Sequence, residues 1–400
     1  MMRNSLILFS LLVLGACSST VSSVAPPVAL QRIDAKLVIN KLWHRQVGRG
    51  ASDKYLKLNP VITDKIGYVV DHTGYFIAWD LVSGKKLWSR FFDVPASSAP
   101  GMDDDRLYFG TGKGEVFSIS PKDGKLLWRS TVSSEVLSPP VSNGKYVVVR
   151  TVDGRLHTLD KQTGKVRWVH DRNMPVLSLR GTSTPIIEGD IVISGADNGK
   201  LTALVLESGS VLWETAIAVP QGRSEIERLV DIDAQPLVRD GVIYTVTYQG
   251  RLAAVKIDTG RILWVRDMSS YNGMEMDAHR IYLTDADGVI WALDRFNGAT
   301  LWKQDGLLRR VVSRPALQGR YLVVGDFNGY LHWLKRNDGN LVGRTRLGAE
   351  TLSDMNSGNE DDDREFSKLR NILATPVIQD DITIAVNRAG LLSAFRIKDK

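Results

Sequence analysis

The chain has 400 residues, with 51 Lys and Arg against 45 Asp and Glu and a formal charge of +6. Apolar residues make up 43% and charged residues 24%, an ordinary soluble composition with material for a large core, and 35 Gly against 14 Pro favour tight turns over disorder. The single cysteine, Cys17, excludes an intrachain disulfide and a multi-cysteine metal site, and one apolar run near span length excludes a polytopic membrane protein.

That apolar run opens the chain. Met1-Met2-Arg3-Asn4 precedes Ser5 to Val13 and then Leu14-Gly15-Ala16-Cys17. A basic start, an apolar stretch of roughly 7–15 residues and small residues before a cut describe a secretory signal, too short to span a bilayer. Leu14-Gly15-Ala16-Cys17 resembles the bacterial lipobox, in which the Cys thiol is acylated and becomes the new N-terminus, so Cys17 is the implied lipidation site. Ser18 follows where Asp would signal retention, which in the Gram-negative sorting pattern points to the outer membrane. Residues 18–29 are small and turn-prone and read as a flexible tether. The expected division is a signal peptide over 1–16, a lipidated Cys and tether over 17–34, and one folded domain over 35–400. The excess positive charge forms no Lys/Arg run, so nothing marks a nucleic-acid surface.

From there the chain repeats itself. Each unit places a Gly, then a second Gly ten residues on, then a Trp four residues later: Gly74, Gly84, Trp88; Gly114, Gly124, Trp128; Gly154, Gly164, Trp168; Gly199, Gly209, Trp213; Gly250, Gly260, Trp264; Gly288, Gly298, Trp302. A seventh unit, Gly329 and Gly339, has Gly343 in place of Trp, and an eighth begins at Gly390. Fourteen residues before each first Gly stands a proline (Pro60, Pro100, Pro140, Pro185, Pro236, Pro315, Pro376), replaced once by Met274. β-branched and aromatic runs such as Ile243 to Thr247 precede the first Gly, and short strands such as Leu252 to Val255 follow it. Proline suits a strand start because it has no N–H for a ladder. The two glycine turns separate strands, and with the Trp-bearing strand and its flanks each unit of about 40 residues makes four antiparallel strands, the pattern of a β-propeller blade.

The two ends fix the count. Leu37 to Trp43 reads as a fourth strand with no unit before it, while the last unit, from Pro376, stops after three. The expected fold is therefore all-β, an eight-bladed propeller closed by the N-terminal strand pairing into the last blade, which leaves no open edge between the ends. The Trp positions are expected to fill the seams between blades, so that Trp→Ala costs roughly 3–5 kcal/mol. A stacking platform for a ligand is excluded because one repeat position is spread around the whole ring.

With its Thr163-Gly164, Ser208-Gly209 and Thr259-Gly260 turns and its Trp, the unit resembles the pyrroloquinoline-quinone (PQQ) enzyme repeat. It does not resemble the WD40 pattern, since no Gly-His opens the units and no Trp-Asp closes them. Together with the lipobox and eight blades, the whole chain resembles the BamB family, lipoproteins of the outer-membrane β-barrel assembly machinery. The resemblance implies a periplasmic, non-enzymatic scaffold without a cofactor, held at the outer membrane by its lipid. It would bind the POTRA domains of BamA within the BAM complex, and with them nascent outer-membrane proteins.

The alternatives are a PQQ-dependent dehydrogenase-like protein and a general periplasmic interaction module. Such dehydrogenases resemble one another in an adjacent Cys pair, a Ca²⁺ held by carboxylate and amide, and an Asp base on the axis. A lone Cys17 makes the pair impossible, and the chain lacks the long extra segments of those enzymes. Asp285-Ala286-Asp287-Gly288 is the best local calcium candidate, yet it occupies the same turn as Asp153-Gly154 and Asn328-Gly329. His157 and His332 share one repeat position and read as strand residues, and no Gly-x-Ser-x-Gly elbow is present.

Since the frame is rigid, length varies only between each Trp and the next proline. Two long connectors are consecutive, Trp168 to Pro185 and Trp213 to Pro236, and should lie side by side on the face that carries the first-Gly turns. Leu177, Leu179 and Arg180 on the first offer an apolar anchor and a fork donor, while Asp231 and Asp233 on the second can accept a partner's Arg or Lys. The competing reading makes Leu177, Leu179 and Ile232 inward strand residues and leaves both acids merely solvated. The family resemblance implies that Leu177, Leu179, Arg180, Asp231 and Asp233 bind BamA. The longest connector, 344–375, carries Glu360 to Asp363 and reads as a solvated acidic loop. Blade seven, lacking its Trp, is expected to be the loosest place for a nascent strand to pair.

Overall fold

In the computed structural model the described residues are 25–171, 177, 183–348 and 369–400. Cys17, Leu179, Arg180 and the acidic run 360–363 lie outside them. Eight four-stranded antiparallel sheets form an eight-bladed propeller. Blades 1 to 7 follow one another over 61–91, 101–131, 141–170, 186–216, 237–267, 274–304 and 316–346. Blade 8 combines three C-terminal strands, Val377–Gln379, Ile382–Val386 and Leu391–Asp399, with the N-terminal strand Leu37–Gln46. The closing pair is antiparallel, from Leu37 opposite Asp399 to Gln46 opposite Leu391.

Each proline-to-glycine interval holds two strands, separated by a third turn that the glycine frame does not mark. In blade 1 these are Val61–Thr63 and Ile66–Val70, joined by Asp64 and Lys65 at φ of 47° and 66°. Two consecutive positive φ values are the twist that a two-residue hairpin needs. The innermost strand is only two or three residues long, because eight sheets converge there on the axis.

The fourth strand of every blade carries a bulge one residue before the Trp position. Ala78 pairs with Trp88 and Trp79 with Lys86, leaving Leu87 unpaired, and the same shift recurs at Leu127, Arg167, Leu212, Leu263 and Leu301. A bulge re-aims side chains. Here it turns the Trp toward the next blade and the preceding Leu outward, so Leu87, Leu127, Leu212, Leu263 and Leu301 are exposed.

Each indole then finds the same two partners across the seam. Its Nε1 donates to a carbonyl of the next blade: Trp43 to Leu81, Trp88 to Pro121, Trp128 to Lys161, Trp168 to Leu206, Trp213 to Ile257, Trp264 to Arg295 and Trp302 to Arg336, at 2.7–3.2 Å. Its ring lies on that blade's second glycine, where a Cβ would fall 2.5–3.0 Å from indole carbons.

Gly343 completes the logic. A Trp there would need a second-glycine turn in blade 8, but the two outer strands of blade 8 come from opposite ends of the chain and no turn joins them. Leu37 and Ile39 of the N-terminal strand fill the place instead, 3.1 and 3.2 Å from where a Gly343 Cβ would be, and Lys36 N–H donates to the Val342 carbonyl. The seam expected to be loose is packed.

Part of the expected tether is also tied down. Val28 N–H donates to the Leu308 carbonyl, while Arg309 donates to Pro26 O, Arg310 to Val28 O and Arg344 to Gln31 O. Leu30 packs with Leu317 and Leu341 against the cluster around Trp302. An extended Pro-containing segment leaves its carbonyls without partners of its own, and three arginines take them up.

Candidate functional site

Antiparallel order puts all the connectors on one face, above the turns at the first glycines. The connector from blade 4 to blade 5 is built as a rigid projection. Ile217 N–H donates to Gly199 O and Ile232 N–H to Ala196 O, fastening both ends to the turn of blade 4. Leu229, Val230, Ile232 and Ala234 are buried, and Ile232 packs so closely on Gly195 that a Cβ there would lie 2.3 Å away. Between the fastenings, Ser224 and Glu227 form a reciprocal cap: Glu227 Oε2 accepts the N–H groups of Arg223 and Ser224, and Ser224 Oγ accepts that of Glu227. The cap holds one turn with Ile226 at its tip, 65% exposed, and Val219 at its foot, 65% exposed.

Of the residues expected to bind a partner, three are described. Leu177 is exposed, as an anchor for another protein must be. Asp231 and Asp233 flank the buried Ile232, but their surroundings differ. Asp231 is fully enclosed, and its carbonyl accepts Tyr248 N–H. Asp233 keeps some accessible surface, while its Oδ1 is buried and has no hydrogen-bond donor. Burial, aided by the charge of Asp197, pushes the Asp233 carboxyl up to about 6, against the pull of Arg150 and Lys57. Arg150 is already committed: buried, it pairs with Asp197 and donates to Gly195 O at 2.5 Å. The same two connectors expose three apolar side chains, Leu177, Val219 and Ile226.

Across the mouth of the ring stands Lys57, whose Nζ donates to Tyr271 O at 3.1 Å. Its side chain touches solvent yet is ringed by protein, and this desolvation pulls its pKa down to about 8 despite Asp233. Arg314 closes the circle by pairing with Glu275 at 3.1 Å. The sequence frame gave no hint of Val219, Ile226 or Lys57. The Ser224-x-x-Glu227 spacing is the one signal that could have marked the loop as ordered.

The residues weighed for chemistry have other uses. Asp285 Oδ1 accepts the N–H groups of Asp287 and Val289, and Oδ2 accepts Trp291 Nε1, so it shapes a turn. His332 is buried between Asp326 and Arg344. His157 Nε2 meets Ser133 Oγ at 2.8 Å, but its buried Nδ1 has no partner to orient the ring as a catalytic base requires. Among the described residues no group of His, Cys, Asp and Glu could hold a metal ion.

Comparison with known proteins places this architecture. The family described as "Outer membrane protein assembly factor BamB" matches residues 74–304. The BamB of Yersinia pestis is 32% identical over 97% of both chains, and that of Escherichia coli K12 is 34% identical over 85% of this chain and 90% of its own. The chain belongs to the BamB family. Among solved structures, BamB from Moraxella catarrhalis superposes with a TM-score of 0.77 at 22% identity, covering 90% of this chain and all of that one. Quinohemoprotein alcohol dehydrogenase from Comamonas testosteroni reaches 0.67 at 11% identity, covering 90% of this chain and 76% of its own, which shows a shared propeller fold and nothing more.

Proposed function

We propose that this protein is a lipid-anchored, non-enzymatic scaffold of the outer-membrane β-barrel assembly machinery, held on the periplasmic face through Cys17. It docks the POTRA domains of BamA with the connectors from blades 3 to 4 and 4 to 5. The observation that carries the docking site is the pairing of a rigid, capped loop with an acid that lacks a donor. Val219, Ile226 and Leu177 supply the apolar contact, and the accessible edge of Asp233 supplies a negative charge for a partner's cation. Leu179 and Arg180 extend the same connector and are proposed to share the contact. Asp231, enclosed, holds the loop in shape for it.

The test is a pull-down of BamA with Asp233→Arg and Leu177→Ala variants whose circular dichroism and melting match the parent. Recovery should fall at least about tenfold for Asp233→Arg, the loss expected when a charge pair becomes a like-charge contact. Undiminished recovery by both variants would remove this docking face. Asp231→Arg is a poor probe, because it forces a cation into an enclosed site and confuses folding with binding.

A further inference from the structure

The face opposite the connectors carries a second feature that the docking role does not use. Where blades 6, 7 and 8 meet, a cleft of about 880 Å³ is lined by Lys36, Arg280, Arg320, Lys335, Arg336 and Lys400, with only Asp277 and Asp399 against them.

Both acids are already claimed. Asp277 accepts the N–H groups of His279 and Arg280 and the Tyr282 hydroxyl, and pairs with Arg336, which also donates through Nε to the same hydroxyl. Although burial alone would raise it, these donors hold Asp277 down to about 2. Asp399 pairs with Arg320 and accepts the Tyr321 hydroxyl. Lys36 is paired with Asp34 at 2.5 Å. Among the described residues, the side chains of Arg280, Lys335 and Lys400 have no carboxylate partner in the cleft. Three positive side chains therefore stand without a carboxylate partner in the cleft.

This is not a consequence of the chain's overall charge. The Asp277–Tyr282–Arg336 arrangement recurs between blades 2 and 3 as Asp103, Tyr108 and Lys161, where Lys161 also pairs with Asp105 and Asp104 stands between the two acids. At that seam acids surround the latch. At blades 6 to 8 cations do, and a cleft opens beside them.

We propose that this cleft binds a phosphate-bearing ligand with two negative charges. Arg280 supplies a fork donor, held in place by its Nη1 bond to Arg336 O at 2.8 Å, and Lys335 and Lys400 supply point charges. A single carboxylate would neutralise only one of the three cations, whereas a phosphate dianion neutralises two. The phosphate can come from a free phosphorylated small molecule or from a lipid headgroup.

The experiment titrates the full chain with inorganic phosphate by calorimetry, and separately with vesicles of phosphatidic acid and phosphatidylcholine by flotation. It compares the parent with Lys335→Glu/Lys400→Glu and with a control, Lys122→Glu/Lys165→Glu, which makes the same change of net charge at exposed lysines of blades 2 and 3. Saturable phosphate binding that weakens at least about tenfold in the cleft variant alone supports the site with a free phosphate as ligand. Selective flotation with phosphatidic acid vesicles, lost in the cleft variant alone, supports it with a headgroup as ligand. Equal losses in both double variants, or binding to neither probe, would overturn it.

Discussion

Trp43 Nε1 donates to the carbonyl of Leu81 at 2.9 Å, so a residue from the first strand of the ring closes the seam between the last blade and the first. The bond is one of seven alike, and each repeats with the indole lying on a glycine. Trp and second Gly, four residues apart within each unit, are thus two halves of one contact between neighbouring blades.

That contact can be separated from backbone strain. Gly164 has φ +70°, and a Cβ there would lie 2.7 Å from the Trp128 ring; Gly189 has φ +57° and open space around it. Gly189→Ala should cost about 1 kcal/mol, the left-handed penalty alone, whereas Gly164→Ala should cost about 3 kcal/mol because the indole must also move. Trp128→Ala should cost about 3 kcal/mol. Urea denaturation of the three variants checks the order; equal costs for the two glycine changes would contradict it.

Asp233, proposed above as a docking acid, also bears on stability. Its folded pKa is raised from 3.8 to about 6, so ionising it costs more in the folded than in the unfolded chain. The penalty is absent below pH 4, grows as pH rises and is complete above pH 6. Asp233→Asn should therefore stabilise the protein at pH 7.5, by at most about 3 kcal/mol, and give no gain at pH 4. BamA binding by the same variant should fall. Thermal melts at the two pH values measure the first effect, and a gain equal at both would contradict it.

Arg310 joins the ring to the N-terminal segment. Its Nε and Nη2 lie 2.9 and 2.8 Å from Asp326 Oδ2, and its Nη1 donates to Val28 O. Arg310→Ala takes the guanidinium from the buried Asp326 carboxylate, which keeps His332 and the N–H groups of Asn328 and Tyr330, and should cost about 3–5 kcal/mol. Arg310→Lys should recover less than half of it, since one ammonium cannot span both acceptors. Hydrogen exchange at the Val28 amide, bonded to Leu308 O, should accelerate in both variants.

The ring was legible because its chemistry is periodic. Proline, two glycines and Trp recur at fixed spacing, and the unequal ends, Trp43 without a unit and Pro376 without a fourth strand, state the closure. What stayed hidden depends on non-periodic or cross-unit contacts. The bulge at Leu87 and its counterparts breaks the two-residue alternation, and the turn at Asp64-Lys65 has no residue type shared by all blades. The loss of Trp at Gly343 suggested a loose seam because its filler, Leu37 and Ile39, lies three hundred residues away in sequence. Among the proposed docking residues, Leu177 and Asp233 stand on connectors that the spacing marks as long. That Asp231 is enclosed while Asp233 is not depends on how the loop is fastened at Ile217 and Ile232, which spacing alone does not encode.

The central claim is that the two chain ends complete one blade and so lock the ring. A form of the protein beginning just after Trp43 loses the Leu81 bond, the Gly84 contact and the filling of the Gly343 seam together. Its melting temperature should fall by about 10 °C or more below that of the parent, with a broadened transition. Melting at the parent's temperature would contradict the closed ring and the docking face that rests on it.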